Sequence, residues 1–261
     1  MLEYTFIFIF VLITAMAGVY LNLLSFSGSL ASFVIGLAVG YGFGVQGLLV
    51  LGFFFASSSL WSKYKSTQKL KVADKHEKGS RRDWRQVAAN GGLACFASFF
   101  YLAYPSEIWL MGFLISLASA NSDTWASEIG SLSKKPPISI RTFKPIETGT
   151  SGAISTLGTF AAFLGSSAIA LLSLFLFKIT FFDAFFIFIF GFAGNAIDSV
   201  LGAFLQAKYK CNVCGAAVEK LIHCGQKTNL AKGKHFADND FVNFFSGLAS
   251  AALGMLLYIL L

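Results

Sequence analysis

Long apolar runs separated by short polar segments follow one another along the whole chain. Eight of these runs approach the roughly 20 residues that an α-helix needs to cross a bilayer. They lie near residues 4–24, 27–43, 45–61, 87–104, 107–129, 150–177, 183–206 and 240–261. The second and third runs are short and rich in glycine, so seven crossings with a broken or re-entrant segment remain an alternative to eight. The pattern predicts an all-α transmembrane helical bundle, with residues 1–261 forming a single domain.

The composition agrees with a membrane protein and excludes several soluble classes. Apolar residues make up 56% of the chain and charged residues 13%, about half the charged fraction of soluble domains. The mean hydropathy is +0.68. Too little polar surface remains to cover a water-soluble globule of this size. A soluble enzyme with one buried core, a disordered chain and a disulfide scaffold are therefore excluded.

The positive charges are clustered in a way that predicts membrane orientation. Of the 20 Lys and Arg residues, 19 lie in the polar segments 62–86, 131–148 and 207–238. Basic loops of membrane proteins face the cytoplasm, so the short turns near Ser106 and Thr180 are expected on the opposite face. A nucleic-acid surface needs basic and aromatic residues interleaved on a soluble face. The net charge of +7 therefore does not predict nucleic acid as a partner.

Acidic and amide side chains occur in the later apolar runs, near the ends that adjoin the basic segments. The candidates are Asn90, Asp123, Glu128, Asn195, Asp198, Asp240 and Asn243. Polar groups in a membrane are costly, so they indicate function by default. Hydrogen bonds between helices and helix caps are the alternative explanation. Several carboxylates facing one another repel unless a cation lies among them, and oxygen ligands without His favour Mg²⁺.

The loop between the fifth and sixth runs supplies the opposite charge. Lys134, Arg141 and Lys144 precede Thr148-Gly-Thr-Ser-Gly152, which is expected to open the sixth helix. A helix N-terminus offers free backbone N–H groups to an anion. The segment therefore predicts a phosphate site, with a simple helix cap as the alternative. Carboxylates for a metal and a cationic anion site together outline a site for phosphoryl transfer.

Five segments resemble the signature of one family of multi-pass membrane proteins. They are Gln86–Gly91, Asn121–Gly130, Gly149–Gly152, Asp198–Gln206 and Asn239–Asn243. Asp123-Thr-Trp-Ala-Ser-Glu128 is the most specific of these motifs, and the resemblance covers about residues 60–250. The family was once labelled only as of unknown function, and its characterised plant member is the phytyl-phosphate kinase of the vitamin E pathway. Its distant relatives include the CTP-dependent phytol and dolichol kinases.

The resemblance implies a membrane-embedded kinase. It would transfer the γ-phosphoryl group of a nucleoside triphosphate, with CTP as the donor, to an isoprenoid monophosphate such as phytyl or geranylgeranyl phosphate. A monophosphate has a second pKa of about 6, so its ionised oxygen attacks without a general base. An isoprenoid alcohol, the acceptor of an alcohol kinase, would instead have to lose a proton to a carboxylate. The prenyl tail is expected to stay between helices in the bilayer.

This activity gives the candidate residues their expected roles. Asp123 and Asp198 are the expected Mg²⁺ ligands and catalytic residues, and Glu128 and Asp240 are further candidates beside the metal. The residues expected to bind or orient phosphate and nucleotide are Lys134, Arg141, Lys144, Thr150, Ser151, Gly152, Asn90, Asn195 and Asn243.

Two other functions remain open. A cytidylyltransferase would need the same CTP, Mg²⁺ and acidic residues, but would join CMP to the lipid phosphate and release diphosphate. A transporter of ions or small anions also carries buried acids at helix breaks. It predicts polar residues at mid-membrane in two related halves, whereas here the polar layer lies toward one side.

Three of the four cysteines lie close together in segment 207–238. Cys211-Asn-Val-Cys214 is followed by His223-Cys224. A C-x-x-C pair with a third Cys and a His indicates a zinc site in a reducing compartment. Free thiols and a disulfide are the alternatives. Segment 207–238 is therefore predicted to be a small loop held by structural Zn²⁺.

Overall fold

The computed structural model describes residues 2–73 and 81–261, so part of the basic segment 62–86, residues 74–80, lies outside the described ranges. The helices of the described ranges are α1 (Leu2–Tyr20), α2 (Phe26–Lys63), α3 (Ser66–Ala73), α4 (Trp84–Ala103), α5 (Glu107–Gly130), α6 (Thr156–Phe177), α7 (Phe181–Phe204) and α8 (Asn239–Leu260). The strands are β1 (Ile138–Ser139), β2 (Ala153–Ile154), β3 (Lys208–Lys210), β4 (Ala217–Val218), β5 (Ile222–His223), β6 (Gln226–Lys227) and β7 (Asn229–Lys232).

Helix α2 folds back on itself at Gly44, where the backbone leaves the helical region with φ 64° and ψ −158°. A straight helix of its 38 residues would separate its ends by about 57 Å. Instead, residues near both ends contact Arg82. The Ser25 amide donates to the Arg82 carbonyl at 3.0 Å, and the Arg82 guanidinium donates to Ser59 Oγ at 3.0 Å. Helix α2 is therefore a hairpin with two antiparallel arms, and glycine permits the positive φ at its turn.

With two arms from α2, the long helices of the described ranges cross the bundle eight times, which agrees with eight predicted spans. Among the described residues, six helices are long and apolar enough to cross a membrane by composition, namely α1, α2, α4, α6, α7 and α8. Helix α5 is less apolar because it lies at the centre of the bundle. It packs against α2, α4, α6, α7 and α8, and all residues from Met111 to Ser119 are buried. A helix enclosed by protein needs no apolar surface toward lipid.

Both termini of the described chain lie at the same end of the bundle as the turn at Gly44. Tyr4 near the start of α1 packs against Tyr41 with ring centroids 5.5 Å apart. Tyr258 near the end of α8 donates to the carboxyl group of Asp183, in the first turn of α7, at 3.1 Å. The segments 131–155 and 205–238 meet at the other end, which we call the loop face.

Small residues allow α1 to pack closely on the first arm of α2. A Cβ atom at Gly36 would lie 2.7 Å from Val11, and one at Gly40 would lie 2.6 Å from Ile7. Glycines at every fourth position let helix backbones approach in lipid, as in other membrane helix pairs. The glycine-rich pattern therefore serves both packing and the break at Gly44.

Helix α6 begins at Thr156, six residues later than the predicted start of the sixth span at residue 150. The preceding residues form β2, which pairs antiparallel with β1. Ser155 then caps the helix, since its Oγ accepts a hydrogen bond from the amide of Gly158 at 3.0 Å. The Thr-Gly-Thr-Ser-Gly segment is therefore a turn before the helix, and the predicted helix opening at this segment is wrong.

The segment between α7 and α8 carries short strands that the sequence did not predict. Strand β3 lies between β4 and β7, and β5 pairs with β6 as a hairpin. Its buried apolar cluster consists of Ala207, Tyr209 and Val218. These strands are confined to the loop face, so the predicted class, an all-α transmembrane bundle, is confirmed.

Candidate active site

A cavity of about 1400 Å³ extends from the loop face into the bundle. Its polar wall at the loop face includes Gln86, Asn90, Asp123, Glu128, Glu219, Asp240 and Asn243. Its apolar wall comes from α1 and both arms of α2, and includes Phe10, Val11, Ile35, Leu48, Leu51 and Gly52. Leu48 lies four residues, or about 6 Å, beyond the turn at Gly44. The cavity therefore reaches most of the way across the bundle, with a polar end and an apolar end.

Two carboxyl groups from different helices meet beside the polar wall. The carboxyl groups of Asp123 of α5 and Asp198 of α7 lie close enough to interact directly. On α8, Ser246 donates to Asp198 Oδ2 at 3.1 Å, and the amide of Asn243, in the orientation that satisfies its neighbours, donates to the same oxygen at 3.2 Å. Two carboxylates in contact repel unless a proton or cation is shared between them. Helices α5, α7 and α8 thus bring an acid pair together.

Asn195 supplies a third oxygen near this pair. It lies three residues before Asp198 on α7, which places both side chains on one helical face. The Asn195 Oδ1 atom is buried and has no hydrogen-bond partner among the described residues. Leaving a buried acceptor unpaired costs about 1–3 kcal/mol. Two carboxyl groups and an unpaired amide oxygen fit a hard divalent cation such as Mg²⁺, which takes oxygen ligands.

Glu219 brings another acid to the same place from the loop between β4 and β5. Its Oε1 atom accepts a hydrogen bond from Ser151 Oγ at 2.6 Å and another from Gln206 Nε2 at 2.9 Å. Its negative charge acts on Asp198, and its side chain lines the cavity. The acidic site is therefore completed by a residue outside the transmembrane helices.

Glu128 pairs with a basic side chain and is not part of the acid pair formed by Asp123 and Asp198. Lys69 of α3 donates to Glu128 Oε2 at 2.7 Å, and Ser62 donates to Oε1. Burial lowers the pKa of Arg82 from its usual value, and the charge of Glu128 acts in the opposite direction. Arginine remains protonated despite such a shift. Lys69 and Arg82 both line the cavity. Glu128 therefore helps to keep these two positively charged side chains at the polar end of the cavity.

A second ion-pair group lies at the start of α8. Arg85 donates to Asp238 Oδ2 at 2.5 Å and lies 3.9 Å from Asp240 Oδ2. Asp240 is buried, and all three residues line the cavity. On α4, Asn90 also lines the cavity, and its Nδ2 atom donates to the Gln86 carbonyl at 3.0 Å. Asp240 and Asn90 therefore face the cavity that Asp123 lines.

The predicted phosphate residues of the α5–α6 loop lie at the loop face but outside the part of the cavity wall that the structure describes. Lys134, Arg141 and Lys144 are exposed. The Arg141 guanidinium stacks 5.8 Å from the centroid of the Phe204 ring. Burial, and then the charge of Arg141, lower the pKa of Lys232. These side chains form a basic surface beside the cavity.

The turn of Thr150, Ser151 and Gly152 packs against the end of α7. Gly152 has φ 74°, and a Cβ atom there would lie 2.5 Å from the backbone of Ala203. The Thr150 carbonyl accepts a hydrogen bond from the Ala153 amide at 3.0 Å. Through Ser151, this turn also holds Glu219. The turn therefore supports the acidic site from the side of α7.

The cysteine cluster lies in the same segment as Glu219. Ligand atoms of Cys211, Cys214, His223 and Cys224 all lie within 4.8 Å of one another. Hydrogen bonds, chiefly from the backbone of Cys214, lower the pKa of the Cys211 thiol to about 6. The residues that the sequence predicted for zinc are thus brought together.

Several residues of the site were not assigned a role from the sequence. They are Lys69, Arg82, Arg85, Gln206 and Glu219. The basic segment 62–86 signalled positive charge, but only the fold shows which of its side chains enter the cavity. Glu219 carried no signal of its own, since it lies on a loop whose path depends on the strand pairing.

Comparison with known proteins places the chain in a family. The profile described as integral membrane protein DUF92 matches residues 9–251. The chain belongs to the DUF92 family of integral membrane proteins. The match spans all eight crossings and both halves of the cavity, so the α1–α2 region is part of the family's common architecture.

Named relatives occur in plants and archaea. The chain is 31% identical over 258 residues to Protein PGR of Arabidopsis thaliana, covering 88% of this chain and 87% of that protein. It is 34% identical over 210 residues to an uncharacterized membrane protein, MJ0933, of Methanocaldococcus jannaschii, covering 76% and 84%. It is 32% identical over 190 residues to Protein VTE6, chloroplastic, of Arabidopsis thaliana, covering 71% and 57%. No solved structure matches the chain.

Proposed function

We propose that this protein is a membrane-embedded kinase that transfers a phosphoryl group from a nucleoside triphosphate to an isoprenoid monophosphate. CTP is the proposed donor, and phytyl or geranylgeranyl phosphate is the proposed acceptor. The product is the isoprenoid diphosphate. The family resemblance and the similarity to VTE6 support this class of substrate.

The observation that carries the proposal is the two-ended cavity. Its loop-face end carries Lys69, Arg82 and Arg85 near carboxylates, and its other end is walled by apolar side chains of α1 and α2. A lipid phosphate has the same division, with an anionic head and a long apolar tail. The apolar end can take the tail from the bilayer without exposing it to water, since lipid tails are as apolar as the side chains that line this end, and the cations offset the negative charge of the head. Helices α1 and α2 carry no polar motif, and we propose that they bind the apolar tail.

In the proposed reaction, an ionised oxygen of the lipid phosphate attacks the γ-phosphorus of the nucleotide. A new bond forms between the lipid-phosphate oxygen and the γ-phosphorus. At the same time, the bond breaks between the γ-phosphorus and the oxygen that bridges it to the β-phosphorus, and the nucleoside diphosphate leaves. Since the acceptor is already ionised near neutral pH, no side chain has to remove a proton. Lys69 and Arg82 would hold the lipid phosphate, and Asn90 and Asn243 would orient it.

The acid pair is proposed to hold the metal that phosphoryl transfer requires. Asp123, Asp198 and Asn195 would provide oxygen ligands, with Asp240 and Glu219 beside them. A bound Mg²⁺ ion would neutralise the charge that develops on the transferred phosphoryl group. Glu128 is proposed to act through Lys69 and Arg82, whose charges it balances.

The basic surface beside the cavity is the proposed entry for the nucleotide. Lys134, Arg141 and Lys144 are exposed and attract a polyanion from solution. Thr150, Ser151 and Gly152 belong to the same loop, and Ser151 reaches the acidic site through its hydrogen bond to Glu219. They are proposed to contact the phosphates as the nucleotide enters.

Product analysis tests the proposal. Purified protein in nanodiscs is incubated with Mg²⁺, geranylgeranyl phosphate and CTP labelled at either the α- or the γ-phosphate. We expect label from γ-labelled CTP, but not from α-labelled CTP, in geranylgeranyl diphosphate. Repeating the reaction with ATP, GTP and UTP identifies the donor, and geranylgeraniol in place of its phosphate tests an alcohol acceptor.

Other outcomes contradict the proposal in distinct ways. Lipid label from α-labelled CTP with release of diphosphate would identify a cytidylyltransferase. Phosphorylation of the alcohol alone would identify an alcohol kinase. No turnover with any donor by folded protein, together with uptake of ions or small anions into vesicles containing it, would favour a transporter.

A further inference from the structure

The four clustered ligands of the α7–α8 segment have the spacing of a tetrahedral metal site. The Nδ1 atom of His223 lies 3.5 Å from Cys214 Sγ and 3.3 Å from Cys224 Sγ. All four ligand atoms, including Cys211 Sγ, lie within 4.8 Å of one another. Zinc holds sulfur at about 2.3 Å and nitrogen at about 2.0 Å, so tetrahedral ligands stand about 3.5–3.8 Å apart. The observed separations need little change to enclose one zinc ion.

Backbone turns present these ligands toward one point. In the first turn, the Gly215 amide donates to the Cys211 carbonyl at 3.0 Å, and the Val213 amide donates to Cys211 Sγ at 3.4 Å. The second turn joins β5 to β6, with φ 52° at Cys224 and φ 74° at Gly225. Two successive positive φ angles are typical of tight hairpin turns. This left-handed turn lets the adjacent His223 and Cys224 both reach the site.

The segment has little else to hold its shape. Its buried apolar cluster consists of three residues, Ala207, Tyr209 and Val218, and its strands have two to four residues each. Segments this small need a metal, a disulfide or a larger core for stability. The cysteines are not joined in disulfides, so their sulfur atoms are available as metal ligands.

The position of Glu219 depends on this segment. Glu219 directly follows β4, whose Val218 pairs with Tyr209 of β3. Cys211 follows β3, and its amide donates to the Ala216 carbonyl at 2.9 Å, immediately before β4. The turn that carries two of the ligands is therefore the turn that sets the register of β4. We expect loosening of this turn to move Glu219 away from Ser151 and Gln206.

We infer that Cys211, Cys214, His223 and Cys224 bind one structural zinc ion, and that this ion holds Glu219 in the acidic site between α5 and α7. The site is separate from the acid pair and uses soft sulfur ligands, which select zinc over Mg²⁺. Glu219 is a positioning residue whose contacts to Ser151 and Gln206 require the bound zinc.

Metal analysis of the full-length protein in detergent tests the zinc site. We expect one zinc per chain after reducing purification, and loss of most of it in Cys214→Ser and in His223→Ala. Cys95→Ser, in α4, is the matched control and should retain zinc. Because a cysteine variant can fail to fold, the wild-type protein is also stripped with a chelator and reloaded with Co²⁺, whose visible absorption reports thiolate ligands in a tetrahedral site.

A double-mutant cycle between Ser151→Ala and Glu219→Gln tests the link to the acidic site without any enzyme assay. In zinc-loaded protein, we expect the shifts in unfolding temperature to be non-additive, because the two side chains share a hydrogen bond. In stripped protein, we expect additive shifts. Equal coupling with and without zinc would overturn the positioning role.

Two results would overturn the zinc site itself. One is folded, fully reduced protein that takes up neither zinc nor cobalt. The other is a disulfide among Cys211, Cys214 and Cys224 in protein purified from a reducing compartment. Zinc retained at one equivalent by the Cys214→Ser and His223→Ala variants would also contradict the assignment of ligands.

Discussion

The two halves of the cavity wall differ sharply in chemistry. Helix α1 and the arms of α2 present apolar side chains, with few groups more polar than Ser or Thr. Helices α4, α5, α7 and α8 bring carboxylates and amides to a single layer at the loop face. Both halves belong to one helical bundle and line one cavity. A protein that needed only to pack its helices would gain nothing by keeping an apolar cavity open beside an acid cluster.

Residues without a recognisable motif can therefore still favour one class of substrate. The acid layer indicates what chemistry is possible, and the apolar half indicates what kind of molecule reaches it. The largest expected effects therefore come from changes in the acid layer. Changes in the apolar half are expected to alter which lipids are used rather than whether the reaction occurs.

Removing either charge of the acid pair should have the largest effect. Asp123→Asn and Asp198→Asn each take away a proposed metal ligand, so we expect turnover to fall at least about 100-fold, the scale seen when one electrostatic contact to a transition state is lost. Asp183→Asn is the matched control, since it makes the same change at the opposite end of α7. We expect all three variants to fold equally well and Asp183→Asn to turn over substrate at nearly the wild-type rate. The loss of turnover would then be specific to Asp123 and Asp198. An active Asp198→Asn would contradict the metal assignment.

The ion pair between α3 and α5 at the polar end of the cavity should contribute to stability. Lys69 donates to Glu128, and their side chains are 10% and 26% exposed. Lys69→Met leaves the carboxylate of Glu128 without this partner, which should cost about 1–3 kcal/mol, below the value for a fully buried pair. Thermal unfolding in detergent measures the loss. The double variant with Glu128→Gln should recover part of it, and equal losses in the single and double variants would show that the unpaired carboxylate of Glu128 is not costly.

Filling the apolar half should change the choice of lipid. Gly52 lines the cavity, and a Cβ atom there would meet nothing within 4 Å. Gly52→Leu should therefore block long tails without disturbing the protein, lowering turnover of geranylgeranyl phosphate about tenfold relative to geranyl phosphate. Gly92→Leu in α4, where a Cβ atom would lie 3.9 Å from Phe244, is the matched control outside the described cavity wall. Equal chain-length preference in both variants would place the tail elsewhere.

The exposed basic surface should give the smallest effect. Lys144→Asn should raise the KM for the nucleotide about two- to fivefold, because single exposed charges contribute little. Lys178→Asn removes a charge at the opposite face and should leave this KM unchanged. Raising the salt concentration should reduce the difference between the two variants. A difference that persists at high salt would indicate a direct contact instead of a long-range attraction.

Much of the helical framework could be predicted because membrane helices must be apolar and close to a fixed length. The turns at Ser106 and Thr180 were predicted in this way, and both residues cap helices. The hairpin in α2 was one of two alternatives, since glycine alone does not distinguish a kink from a reversal. The sequence pattern places the start of α6 too early, because the pairing of β1 with β2 depends on contacts that no local pattern carries.

Part of the site could be predicted because polar side chains stand out in helices that must be apolar. Asp123, Asp198 and Asn243 are anomalous in apolar helices, so each was visible singly, but their contacts depend on helix rotation. Glu128 was expected beside the metal, whereas the structure pairs it with Lys69. Glu219 is an ordinary acid in a polar loop. Its place in the site follows from the pairing of β3 with β4 and from its hydrogen bond with Ser151. The sequence pattern predicts neither of these contacts.

Photo-crosslinking tests most directly the claim that one half holds the tail while the other holds the head. The probe is a geranylgeranyl phosphate with a diazirine at the tail terminus, irradiated with the protein in nanodiscs and mapped by mass spectrometry. We predict labels on α1 and the arms of α2, near Phe10, Leu48 and Leu51, that excess unlabelled geranylgeranyl phosphate removes. Labels that spread over the outer surfaces of α6 and α7, and that the unlabelled lipid does not remove, would show that the tail does not bind in the cavity.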